Sequence, residues 1–125
     1  MATLSLVKIK PGTTPILTAV VDEIIQDATV YIAIDMKGRR LVKSNYCNEG
    51  DVIVEPIYDE SDVQVSTQLT VQYSQEETLY FRPGYARVEV GWVFEDNTAD
   101  KTNIGRIMIP KTLIKGVMRY GKYTS

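Results

Sequence analysis

The residues able to do chemistry are few, and their types exclude more than they offer. The chain has no histidine and a single cysteine, Cys47. Without an imidazole there is no Ser-His or Cys-His nucleophile pair, the commonest general base is missing, and most zinc sites are out of reach. Cys47 has no neighbour of that kind to activate it and reads as a buried or edge-strand thiol. A lone cysteine also forms no intrachain disulfide. Glu76 and Glu77 are adjacent, so their carboxylates point apart and make a poor acid–base dyad. Asp96, Asn97 and Asp100 form an oxygen-rich loop without a full set of calcium ligands. These residues predict no enzyme, no metal and no cofactor.

Charge is the more informative chemistry. The net charge of −2 hides an asymmetry, because all 16 acidic residues lie between Asp22 and Asp100. The first 21 residues carry only Lys8 and Lys10, and the last 25 carry six bases and no acid. The stretch between them holds six bases against 16 acids. Two readings stay open. The basic ends fold over the acidic middle or are simply solvated, or they dock on the acidic face of a neighbouring copy or partner. The candidate interface is therefore the last stretch, with Lys111, Lys115, Arg119, Tyr120, Lys122 and Tyr123. Nucleic acid is not the expected partner, since these bases form no aromatic-interleaved cluster and the middle repels phosphate. Tyr46, Tyr58, Tyr80, Tyr120 and Tyr123 offer either a sticky protein or glycan surface or packing at sheet ends.

The elements that must position these groups are strands. At 125 residues, 44% hydrophobic and 24% charged, the chain has the length and composition of one soluble domain. No run approaches the ~18 apolar residues of a membrane helix, and the N-terminus alternates like a strand rather than showing a signal-peptide core. The expected place of synthesis and folding is a cytoplasm. A period of two dominates. Leu4 to Ile9 alternates with a slip between Leu6 and Val7 that a bulge would explain. Ile16 to Val21 reads as a buried strand. Asp22 to Asp27 breaks it, although Ile24 and Ile25 must pack somewhere. In Thr29 to Met36 the side chains of Val30, Ile32, Ile34 and Met36 share a face, and Lys37-Gly38-Arg39 turns the chain back into Arg40 to Ser44. Asn45 to Asp51 is a loop. Pro56 places Val52 to Ile57 at an edge or a strand end.

Val63, Val65, Thr67, Leu69 and Val71 are expected on one face of the next strand, with Gln64, Ser66, Gln68, Thr70 and Gln72 on the other. Ser74-Gln75-Glu76-Glu77 fits a capping box opening a helical turn, and Pro83 stops that turn at Arg82. Ala86, Val88, Val90, Trp92 and Phe94 then share the face expected at the centre of the core. Asn103 to Ile109 is the partner strand, with Gly105, Ile107 and Ile109 on one face. Pro110 to Lys115 is compatible with a short helix ended by Gly116. The end of the chain, from about residue 116, is a fraying tail or a docked arm. The fold class that follows is all-β: an immunoglobulin-like antiparallel β-sandwich of about seven to eight strands with one or two short helical turns, in one domain. A closed barrel is the alternative, but the glycines that tight barrels use at corners are missing.

The order of these signals resembles a narrower group. A basic strand ends in Lys10-Pro11-Gly12-Thr13-Thr14. Asp27-Ala28-Thr29-Val30-Tyr31-Ile32 follows, then Leu69 to Tyr73 leads into Ser74-Gln75-Glu76-Glu77-Thr78, and Pro83-Gly84 precedes the strand Tyr85 to Phe94. Over about residues 7–110 this resembles the small immunoglobulin-like domains of tailed-phage virion proteins, and in particular the N-terminal domain of phage baseplate upper proteins. The resemblance implies a non-enzymatic virion structural protein, in a tail, baseplate or connector, assembled in a bacterial host cytoplasm. It also implies partners among other virion proteins and further copies of the chain, with no nucleic acid and no membrane. Members of the group often continue into a receptor-binding region, so a stand-alone accessory or connector subunit is expected here. The alternative is a carbohydrate- or receptor-binding sandwich that meets a host surface glycan or receptor. In immunoglobulin-like domains a Tyr can anchor the corner before the long core strand, and Tyr85 is placed for that role if a bulge near Gly84 corrects its phase.

Overall fold

The computed structural model describes residues 2–4, 8–46 and 51–121. Cys47, Lys122 and Tyr123, and the expected slip between Leu6 and Val7, lie outside the described residues. Among the described residues, eight strands form two four-stranded antiparallel sheets, joined by one short helix. The first sheet orders β1 (Ala2–Leu4), β2 (Ile16–Val21), β6 (Gln64–Gln72) and β5 (Val52–Tyr58). The second orders β4 (Arg39–Ser44), β3 (Thr29–Met36), β7 (Gly84–Val93) and β8 (Ala99–Ile109). Lettered in chain order, these are the ABED and C′CFG sheets of an immunoglobulin-like sandwich. The N-terminal segments pair with both sheets. β1 pairs with β2, whereas Lys8 bridges in parallel to Met108 of β8, with Ile9 N–H donating to the Met108 carbonyl at 2.9 Å.

Alternation fills the space between the sheets. Leu17, Ala19, Val30, Ile32, Ile34, Leu69, Val71, Ala86, Val88 and Val90 are buried, and Trp92 closes one end of the row. The β3–β4 hairpin turns on two residues, Lys37 and Gly38, with φ of 48° and 86°. Positive φ at both positions is the type I′ geometry that matches strand twist, and a glycine in the second position lowers its cost. Pro56 lies on β5, an edge strand, where its missing N–H is harmless.

The structure corrects three strand details. Val63 and Val65 are exposed, and the inward face begins only at Ser66 and Thr67. The β5–β6 register skips Val65 between the pairs Ile57↔Ser66 and Tyr58↔Gln64, and this bulge reverses the phase of everything before it. β8 starts at Ala99 rather than Asn103. A second bulge skips Ile104 between Gly105 and Asn103, so Ile104 turns inward and Gly105 outward. Two further expectations fail. Residues 110–115 form no helix: Leu113 and Ile114 stay exposed, so a helix there would bury no apolar face to repay its nucleation. Tyr85 does not anchor the corner. It stays on the outer face with Arg87 and Glu89, exposed, and the Arg106 guanidinium stacks 4.6 Å from its ring.

Candidate protein–protein interface

The antiparallel pairings bring separate loops to each end of the sandwich. Segments 22–28, 59–63 and 94–98 close one end, and segments 10–15, 37–38, 73–83 and 110–121 close the other. These three loops contain Asp22, Glu23, Asp27, Asp59, Glu60, Asp62, Glu95 and Asp96, all exposed, and no basic residue. The segments of the second end carry Lys10, Lys37, Arg82, Lys111, Lys115 and Arg119. Their only acids are Glu76 and Glu77, and Glu77 is ion-paired with Lys43 at 2.9 Å. The fold thus converts a charge pattern spread along the chain into two poles of opposite sign.

The acidic pole is shaped by its own side chains. Asp59 Oδ1 accepts from the Ser61 and Val63 amides at 2.8 and 3.0 Å, an Asx-type turn. Asp96 Oδ1 accepts from the Thr98 hydroxyl at 2.6 Å and the Thr98 amide at 2.9 Å, and these two bonds hold its carboxyl below the usual carboxylate range. Asn97 takes the left-handed conformation, φ 70°, that ends a three-residue hairpin loop. With Asp96 committed to Thr98, the Asp96, Asn97, Asp100 group is a turn. Among the described residues no cluster of three or more potential ligands could hold a metal ion. Loop 22–28 is pinned by Thr67, whose hydroxyl accepts from the Ile25 amide at 3.1 Å and donates to the Glu23 carbonyl at 2.6 Å. Ile25 is thereby buried, and Ile24 faces solvent.

The basic pole is built on a corner. Ser74 caps α1 (Gln75–Leu79) with the expected capping box: its hydroxyl accepts from the Glu77 amide and the Glu77 carboxylate accepts from the Ser74 amide at 2.7 Å. Lys43 bonds Glu77 and the Gln72 carbonyl and lies 5.1 Å above the Tyr73 ring. Partial burial pushes the Glu77 carboxyl up, but the bonds from Lys43 and Ser74 outweigh it and hold the group below its ordinary value. Burial, helped by Glu77, raises the Tyr73 phenol. The corner is tied to the turn before β2 by Thr78, which is fully buried. Its hydroxyl accepts from the Gly12 and Thr13 amides at 2.9 and 3.1 Å and donates to the Thr13 carbonyl at 2.9 Å. Gly12 has a φ of 81°, and a Cβ there would press on Leu79 at 3.4 Å.

Beyond β8 the chain runs as an extended arm across this corner. Gln75 clasps it, accepting from the Met118 amide at 2.7 Å and donating to the Met118 carbonyl at 2.9 Å. Between the arm and the Lys8–Thr13 segment lies a cleft of about 500 Å³, with Lys8, Lys10 and Lys111 at its rim and Pro11, Ile114 and Met118 among its apolar walls. Of the sequence-predicted interface residues, Lys111, Lys115, Arg119 and Tyr120 all lie on this arm and are exposed. Leu113 and Tyr120 are almost wholly open to water, at 98% and 106% of full exposure. Sequence reasoning missed Lys8 and Lys10 as partners of the arm, Thr78 as the pin, and Gln75 as the clasp. Only the Lys-Pro-Gly-Thr-Thr turn gave a hint of the first. No family model matches the chain, and no curated protein sequence matches it.

Proposed function

We propose that the chain is a non-enzymatic structural module that works by docking on other proteins, of the kind found in tailed-phage virions. One observation carries this reading: the sandwich has an acidic pole and a basic pole, and the basic pole exposes apolar side chains on an arm. Exposed apolar groups beside a single-sign charge field are the composition of an interface, with the charges steering and the apolar groups supplying burial. The assignment to a virion rests on the sequence resemblance in the order of turn and strand signals. The further assignment to a tail, baseplate or connector rests on that resemblance alone. The carbohydrate- or receptor-binding alternative needs an aromatic platform. Trp92 is 6% exposed and unavailable for one, while Tyr46 and Tyr58 stand on different strands and loops from Tyr80 and Tyr120.

The test is a mass-spectrometric inventory of purified particles from the producing host. The chain is expected in stoichiometric amount with other tail proteins. Particles that lack it would overturn the virion reading.

A further inference from the structure

Resting on that docking reading, we infer that the partner of the basic pole is the acidic pole of a second copy, with Ile24 as the knob that enters the cleft beneath the arm. Three observations combine. The cleft has apolar walls and a lysine rim, which calls for an apolar side chain flanked by carboxylates. Ile24 is 54% exposed and stands between the exposed Glu23 and Asp27 of the same loop, so it presents that combination. The knob is also held in shape before any partner arrives, because the two Thr67 bonds fix the backbone on both sides of it and the reciprocal Gln26–Gln64 amide pair, at 2.6 and 2.7 Å, braces the loop. A knob that is already ordered loses little conformational freedom on binding.

Knob and cleft sit at opposite ends of one protomer, so the contact is head-to-tail. A two-fold dimer would need the protomers antiparallel and side by side with both contacts made at once, whereas end-on contact leaves one knob and one cleft open. The assembly grows into a ring or an open stack, according to the rotation between neighbours. The attraction is between surface charges, so association weakens as salt shortens the screening length to about 10 Å at 0.1 M.

The experiment uses two blocked variants of the full chain. Ile24→Asp removes the knob and keeps the cleft. Lys10→Glu with Lys111→Glu reverses the rim and keeps the knob. All three positions are exposed, so both proteins should melt with the wild type, which thermal unfolding checks. In sedimentation velocity at low salt, wild type is expected to form species larger than a dimer as concentration rises. Each variant alone should associate about tenfold more weakly or worse, the factor for losing one buried apolar side chain or a steering charge pair. Mixed, the two should form a 1:1 dimer that grows no further, since only one competent cleft and one competent knob remain. Wild type that stays monomeric, variants that assemble like wild type, or a closed symmetric dimer would each overturn the inference. Those outcomes leave the particle inventory untouched, so failure of the head-to-tail contact is separable from failure of the virion reading.

Discussion

The two ends of the sandwich are made by different means. At the acidic end most of the turn-shaping bonds are local: Asp59 holds Ser61 and Val63, and Asp96 holds Thr98, over two to four residues. At the basic end the bonds that matter span the chain. Thr78 joins Gly12 and Thr13 across 66 and 65 residues, Lys43 reaches the Gln72 carbonyl across 29, and Gln75 holds Met118 across 43. A locally built loop survives the loss of one bond because its turn residues still prefer the turn. An end assembled from distant segments has no such reserve, since each bond also holds two stretches of chain together against their entropy.

Thr78→Val is the substitution expected to separate the two ends most clearly. It keeps the shape and deletes the hydroxyl, which leaves the buried Gly12 amide without a partner and the Thr13 amide poorly served. Unsatisfied buried groups cost about 1–3 kcal/mol each, so a total near 3 kcal/mol is expected. Asp59→Ala, on the exposed loop at the other end, should cost about 1 kcal/mol or less by the same measure, because water replaces the lost acceptor. Urea unfolding of both variants measures the contrast. Equal costs would mean that the long-range pin is no more important than a surface turn.

The same contrast governs what could be read from the sequence. Strands β2 and β3 follow the sequence reading to the residue, because each keeps one phase from end to end and has turn residues at its borders. Across the two bulges the phase was misread. Val63, Val65 and Ile104 are apolar, and nothing in a string of apolar residues says that one of them is skipped in the ladder. The capping box at Ser74 was legible because it is a four-residue device. Thr78, one position further, looks like any helix threonine until Gly12 is brought beside it. The charge pattern is the plainest case. Along the chain the acids occupy the middle and the bases the ends, yet Lys37 and Arg82 come from that acidic middle and join the basic pole. Only the strand pairings reveal that three separated acidic loops share one end.

The Lys43–Glu77 pair sharpens the comparison through pH. Glu77 is held below its ordinary value in the folded protein, so it binds protons more readily when unfolded. Its contribution is therefore present above the unfolded carboxylate value, near 4.3 in reference peptides, and is lost as pH falls through the lower folded value. In Glu77→Gln the stability at neutral pH should drop by about 1 kcal/mol, the order expected for a charge-assisted bond that is partly open to water. The difference from wild type should shrink as pH falls below about 4. Asp96 is also held low, but by bonds on a fully exposed loop, and Asp96→Asn should leave the acid limb of the curve nearly unchanged. Melting temperatures from pH 3 to 8 decide whether the acid sensitivity belongs to the corner or is shared by both ends.

The smallest stability effect is expected where the arm meets the corner. Gln75 is the clasp between them: its side chain pairs with both the N–H and the C=O of Met118, as a neighbouring strand would. Among the described residues Lys115 bonds within the arm, to the Thr112 carbonyl. Gln75→Ala therefore removes both clasp bonds and touches nothing in the core. Global stability should change by no more than about 0.5 kcal/mol, the range of surface substitutions. The arm itself should respond strongly. Cleavage by trypsin after Lys111, Lys115 and Arg119 requires an extended, accessible backbone, and release of the clasp should accelerate it while the sandwich stays intact. An unchanged cleavage rate would mean that the arm is held elsewhere or already free. An accelerated rate with unchanged stability would establish that the basic pole consists of a rigid corner and a separately movable arm, the half of the interface able to adjust to whatever docks there.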